Sequence, residues 1–320
     1  MKLGLLTVPF ASKPLKDVLP YLRRLGVEAV ELGTGGFTNP AHCNLKDYLG
    51  NRQKAKELKE LVAGYGMTIS ALGCHGNPVH PDPDVAKRDH EVFDDTMEVA
   101  EMLGVDTVVT FSGCPGSDPK AQKPSWVTCV WPPVFTEELD YQWNECLLPY
   151  WEKAGKRAKD HGVRVAIEMH PGFSVYNTET MLRLRSAAGK SVGANFDPSH
   201  LFWQGMDGTA AIYALGDAIH YVHAKDCAIN AHAIQRSGVL DTKPYKNIKN
   251  RAWSFRTVGY GHDEAVWRDI ISALQIVGYN GTVSIEHEDA LMSIEEGVEK
   301  AVAFLKGLLI CEQPGEIWWA

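Results

Sequence analysis

The chain repeats one unit, a short β-branched apolar run that stops abruptly on a polar residue, followed by a stretch with helical spacing of its apolar positions. The unit is clearest at Val165–His170, Gly193–His200, Tyr221–Asp226 and Thr282–Glu288. Apolar runs of this length, separated by helical patterns, read as parallel strands buried on both faces of one sheet. The C-terminal ends of such strands face the same way, so Glu168, Asp197, His223 and Glu286 are expected to converge on one rim. Two Glu, one Asp and one His form a hard, oxygen-rich donor set that suits a divalent cation with positions open to substrate. Uncompensated charges placed this close are costly, and a dication is the simplest compensation.

The remaining units complete the pattern. Strands are expected at Leu3–Val8, Val27–Leu32, Met67–Leu72 and Val105–Phe111, with helices at 15–25, 52–65, 85–103, 150–161, 178–187, 208–215, 264–277 and 293–309. Eight strand–helix units in succession predict an α/β fold, a single (β/α)8 TIM barrel, occupying residues 1–320 as one domain. No G-x-G-x-x-G turn follows the first strand, which argues against an open nucleotide-binding sheet and against a nicotinamide cofactor. Two departures from the repeat stand out. A long insertion runs from Cys227 to Gly261 after the seventh strand and is expected to fold over the catalytic face. An aromatic tail, Pro314–Ala320, is expected to dock on its own barrel or on a neighbouring subunit, the latter making the chain a homo-oligomer.

Composition restricts the function classes. The net charge of -8 argues against a phosphate-backbone footprint, so no nucleic-acid partner is expected. No apolar run approaches the ~20 residues that cross a membrane. The seven cysteines have no paired spacing and read as free thiols of a reducing compartment, which with the absence of a signal-peptide pattern places the chain in the cytoplasm.

Further residues are assigned to the site by parity along the strands and by position on the loops. His170 shares the side of Glu168, Lys225 shares the side of His223, and Glu288 that of Glu286, whereas His287 points toward the helices. His75, at the end of the third strand, His200, three residues after Asp197, and Arg256, on the long insertion, are further candidates for substrate contact. Sugar sites use aromatic rings as apolar platforms, so Trp126 or Trp131 of the long fourth loop is expected to face substrate, with Trp131 favoured.

The motifs Ile167–Glu168, Asp197–His200, Val222–Asp226, Gly259–Gly261 and Gly278–Gly281 leading into Ser284–Glu286 resemble the xylose-isomerase-like barrel superfamily of sugar isomerases and epimerases, over almost the whole chain. The resemblance implies a divalent metal, manganese first, with cobalt, magnesium or zinc as alternatives, held by Glu168, Asp197, His223 and Glu286. It implies a small carbohydrate substrate and an enediolate formed as Glu168 and Glu286 remove and return a proton. The same pattern is similar in inosose dehydratases, so a metal-dependent lyase acting on an inosose or a 3-keto-glycoside is the alternative. A third reading is a sugar-binding or partner-dependent subunit. Ketose 3-epimerases typically carry a second Glu six residues after the first, where this chain has Ser174, and an Arg six residues after the His, where it has Ile229.

Overall fold

The computed structural model describes residues 1–312 and 315–319. Among them ten strands occur, β1 (Lys2–Leu6), β2 (Ala29–Gly33), β3 (Thr68–Gly73), β4 (Thr107–Phe111), β5 (Arg164–Glu168), β6 (Val192–Phe196), β7 (Ile219–Ala224), β8 (Asp226–Ile229), β9 (Trp253–Arg256) and β10 (Thr282–Ile285). Eight of them close a parallel barrel in the order β1-β10-β7-β6-β5-β4-β3-β2, with β8 and β9 forming a separate antiparallel ribbon. Closure is made by β1 and β10, whose register pairs Lys2 with Thr282 and Leu5 with Ile285. The expected strands are all present, but β6 and β10 end at Phe196 and Ile285, before the polar residues up to His200 and Glu288 of the corresponding sequence runs.

The helices that pack outside the barrel follow their apolar stripes. In Leu15–Leu25 the buried side chains are Leu15, Val18, Leu19 and Leu22, and Gly26 ends the helix in a left-handed conformation, φ 87°. Each fully buried side chain of this kind contributes ~1.5–3 kcal/mol. Together they outweigh Pro20, which lies inside the same helix at a cost of ~3 kcal/mol. The helix expected at 150–161 is longer than its pattern suggests: helical backbone runs from Val134 to Asp160 through a π-helical segment at Tyr141–Leu147. Two helical periods alternating over three segments blur the apolar repeat, and Trp143 and Trp151 mark the buried face of the middle and last segments. The Trp151 indole donates to Ser112 O at 2.9 Å, tying this helix to the end of β4.

The insertion after β7 is not a plain loop. β8 pairs antiparallel with β9, setting Asp226 opposite Arg256 and Cys227 opposite Phe255, and the helix Ala231–Ser237 lies between them. Trp253-Ser-Phe-Arg256 alternates buried and half-buried residues, the period of a strand with one covered face. Asp226 fastens the base of this ribbon to the barrel. Its carboxylate accepts from the backbone N–H groups of Gly259 (3.0 Å), Gly261 (3.1 Å) and His262 (3.0 Å), from the Trp267 indole (3.2 Å) and from Cys227 N (2.8 Å). A Cβ at residue 261 would lie 2.5 Å from Asp226 Oδ1 and from Cys227 O, so only glycine permits this approach.

The tail does not meet the expectation of docking on its own barrel. Trp318 is 86% exposed and Trp319 71%, with their rings edge-on to one another. Pro314 and Ala320 lie outside the described residues. No helix among the described residues is long and apolar enough to cross a membrane.

One outer-shell histidine makes stability depend on pH. His220 is buried beneath the Arg185 side chain and bonds Val165 O at 2.9 Å through Nδ1. Burial lowers it from 6.5 to about 4, against the hydrogen bond to Val165 and together with Arg185. A histidine whose folded pKa lies below its unfolded value takes up a proton on unfolding, so stability falls as pH drops from about 6.5 toward about 4 and levels off below. His220→Gln should flatten that part of the stability curve, measured by urea midpoints at pH 7, 5.5 and 4.5.

Candidate functional site

The barrel delivers its polar strand ends to one mouth, the C-terminal face, because every parallel strand runs toward it. Glu168 closes β5 and accepts three hydrogen bonds: His200 Nε2 to Oε1 at 3.1 Å, His75 Nε2 to Oε2 at 3.0 Å, and Asn195 Nδ2 to Oε2 at 3.3 Å. Burial alone would raise its pKa, yet the bonds from His200 and His75 and the nearby His223 ring hold it well below the usual carboxylate range. His75 is oriented in turn by Thr38, whose hydroxyl lies 2.7 Å from Nδ1.

Asp197 follows β6 and caps the short helix Pro198–Phe202, with Oδ1 accepting from Ser199 N at 2.9 Å. Its Oδ2 is buried without a hydrogen bond, 3.1 Å from Lys225 Nζ. Burial pushes Asp197 up to about 7, with Lys225 pulling it down and Glu168 and Glu286 adding to the rise. The Lys225 ammonium, 2% exposed, lies 2.7 Å from Glu286 and 3.2 Å from Glu288. Burial disfavours its charge, but Asp197, Glu286 and Glu288 together hold it well above the ordinary lysine value.

His223 occupies the centre of the set. Its Nε2 donates to Glu31 Oε2 at 3.0 Å, which leaves Nδ1 facing the other ligand residues; burial disfavours charge on this imidazole, but Glu31 and Glu286 hold it well above its ordinary value. That Nδ1 is buried without a hydrogen bond, 3.1 Å from Glu286 Oε2 and 3.4 Å from Glu168 Oε2. One ligand atom from each of Glu168, Asp197, His223 and Glu286 lies within 4.8 Å of the others. A divalent ion fits this arrangement on two counts. Asp197 Oδ2 and His223 Nδ1 are both buried in the cluster without a hydrogen bond, Asp197 Oδ2 beside the Lys225 ammonium. Around this point the buried carboxylates outnumber the one buried ammonium, Lys225, and a dication offsets the excess negative charge.

The remaining predicted residues divide into those brought to the mouth and those kept from it. His170 Nδ1 donates to Pro171 O at 2.6 Å, and its ring stands 4.0 Å from that of His200. Burial lowers both histidines, His200 to about 3, so both are neutral at pH 7. Glu288 reaches Lys225, while His287 turns toward Gly297 on the last helix, as strand parity requires. Arg256 reaches the cavity wall, but its guanidinium is held by Asp289 at 3.0 Å, which limits its use as a free anion clamp. Trp131 is 73% exposed on the outside of its loop, and the tryptophan of that loop that lines the cavity is Trp126. The difference arises because Trp126 packs edge-on against Tyr176, at 5.6 Å, whereas Trp131 precedes the exposed start of the helix at Val134.

Residues 19–308 match the family of xylose isomerase-like TIM barrels. The chain belongs to this family. Within curated proteins it is 40% identical to the uncharacterized protein YfiH of Bacillus subtilis (strain 168), over 96% of this chain and 98% of that one. It is 26% identical to an inosose dehydratase of Geobacillus thermodenitrificans (strain NG80-2), over 54% of this chain and 56% of that one. Among solved structures, a D-psicose 3-epimerase determined in the presence of D-fructose is similar in fold, with TM-score 0.64 at 14% identity, covering 97% of this chain and 99% of that one.

Sequence reasoning missed Glu31, which this xylose isomerase-like barrel buries completely in the middle of β2. Its Oε2 accepts from both His223 Nε2 and Ser284 Oγ, the latter at 2.9 Å. The clue was present, since Ala29–Glu31 is one more apolar run that reaches a carboxylate, but β2 lies across the barrel from β5 and β6 and seemed unconnected to them. A carboxylate behind a ligating histidine orients the ring and raises its basicity, and its loss typically weakens metal binding ~10–100-fold. Glu31→Gln should therefore lower Mn(II) affinity by a factor in that range, read by calorimetry, with the His223 tautomer followed by nitrogen NMR. Unchanged affinity would remove Glu31 from the site.

Proposed function

We propose that the protein is a divalent-metal-dependent isomerase or epimerase acting on a carbohydrate carbonyl compound. The observation that carries this reading is the convergence of Glu168, Asp197, His223 and Glu286, with Asp197 Oδ2 and His223 Nδ1 buried among them without a hydrogen bond. Those four residues would hold the ion, with manganese the first candidate among hard divalent cations. When bound, such an ion supplies Lewis-acid polarisation of a carbonyl and its neighbouring hydroxyl, which acidifies the C–H between them.

The protein's own groups move the proton. Glu286, the most open of the four ligand residues, takes it from one face, and Glu168 serves the other. Return to the opposite face of the same carbon is epimerisation, and return to the neighbouring carbon is isomerisation. Lys225 can donate to an oxygen on which negative charge develops, because its ammonium is already desolvated and aimed at the ligand cluster. His170, neutral and with Nε2 free, and His200 are placed to bind hydroxyl groups at the rim.

A second reading is dehydration of an inosose or a 3-keto-glycoside. It draws on the similarity to inosose dehydratases and on Lys225, a buried ammonium placed beside Glu286 where it can hydrogen-bond a leaving hydroxyl. Mn-loaded protein incubated in heavy water with ketoses, inososes and 3-keto-glycosides separates the two: isomerisation keeps the substrate mass apart from deuterium, and dehydration loses water. Full activity in a chelated, metal-free sample would refute both.

A further inference from the structure

The space directly over the ligand cluster is small, about 160 Å³, and its polar lining includes His75, Glu168, Lys225 and Glu286. That is about five waters' share of liquid volume, enough for the reacting part of one sugar. It does not end there. His170 and Glu288 also line an adjoining cavity of about 450 Å³, so the two spaces share one side. The larger cavity has the size of pockets that hold extended ligands, and its walls are mainly apolar.

Those walls are built rather than incidental. On one side Tyr245 stacks on Phe255, ring centroids 5.8 Å apart at 22°. Arg251, itself buried, braces this side with its guanidinium 4.3 Å from the Tyr245 ring and 4.6 Å from that of Trp253, and Trp253 stacks on Trp203 at 4.6 Å and 7°. On the other side Leu291 and Met292, from the loop after β10, face the same space, and Met292 is held by the Thr257 hydroxyl. Phe255 joins the slot to the reaction centre, because the Lys225 ammonium sits 4.7 Å from its ring. Tyr245 and Leu291, both more than half exposed, leave apolar surface at the rim that water covers poorly.

We infer that the substrate is larger than a free monosaccharide: a carbohydrate carbonyl compound carrying a flat apolar substituent, with the sugar over the ligand cluster and the substituent between Tyr245–Phe255 and Leu291–Met292. This rests on the proposed function for the position of the sugar. An aromatic wall facing an aliphatic one favours a planar group, which contacts both faces at once and stacks on the tyrosine.

The test compares a hexose bearing a ring ketone with the phenyl glycoside of the same sugar, on Mn-loaded protein. Binding is read by calorimetry and by Trp fluorescence, and C–H exchange by NMR in heavy water. The phenyl glycoside should bind at least tenfold more tightly, and that ratio should fall at least fivefold in Leu291→Ser and in Tyr245→Ala. Equal affinities in the unaltered protein, with exchange of the free sugar, overturn the slot and leave the reaction centre standing. Equal losses for both compounds in the two variants likewise overturn it. Absence of exchange and of binding with either compound overturns the proposed function, and the slot with it.

Discussion

Glu286→Gln is expected to lower kcat by about 10³-fold, in the range typical of removing a general base. The amide keeps the shape of the side chain but cannot accept a proton from carbon, and it offers a neutral oxygen where the carboxylate faced His223 Nδ1 at 3.1 Å. Lys225 also loses its nearest counter-charge, at 2.7 Å, yet retains Asp197 and Glu288. The fold should therefore survive, which circular dichroism and thermal denaturation would verify beside the kinetics. Turnover within tenfold of the unaltered enzyme would remove Glu286 from proton transfer. The parallel change Glu168→Gln is a harsher one. Its carboxylate accepts only from donors, so an amide NH2 would meet either His200 on one side or His75 and Asn195 on the other.

Asp226→Ala should be the most destabilising single change outside the reaction centre, on the order of 4 kcal/mol. Four backbone N–H groups, the His262 ring and the Trp267 indole lose their acceptor at once, in a place where Gly261 approaches too closely for another side chain to substitute. The loss would be read as a lower urea midpoint with unchanged m-value. Because Asp226 sits at the start of β8, opposite Arg256 on β9, the same variant should loosen the ribbon that carries Phe255. Faster hydrogen exchange at Trp253–Arg256 would report that, and protection equal to that of the unaltered protein would refute the anchoring role.

Reading strands as runs that stop on polar residues anticipated that Glu168, Asp197, His223 and Glu286 meet at one rim, since parallel strands end on one face and period-two parity decides which side chains share a side. The same parity placed Lys225 and Glu288 together and turned His287 away. It could not reveal that Glu31, 192 residues before His223, bonds its ring, because that contact exists only once the barrel closes. Loops escaped for a related reason. Trp126 and Trp131 are the same residue type five positions apart, and only packing against Tyr176 decides which one faces inward. Arg256 was legible as a cation on the insertion, but its partner Asp289 is a tertiary neighbour that changes what the cation can do.

Local physics, the periodicity of apolar residues and the chirality of strand–helix connections, thus determined the barrel and the rim on which its carboxylates meet. Tertiary structure decided what surrounds them: the orientation of His223 by Glu31, the desolvated ammonium of Lys225 among three carboxylates, and the aromatic ribbon of Trp253 and Phe255 that begins at Asp226. Those depend on distances between segments far apart in the chain, and periodicity within a segment carries no information about them.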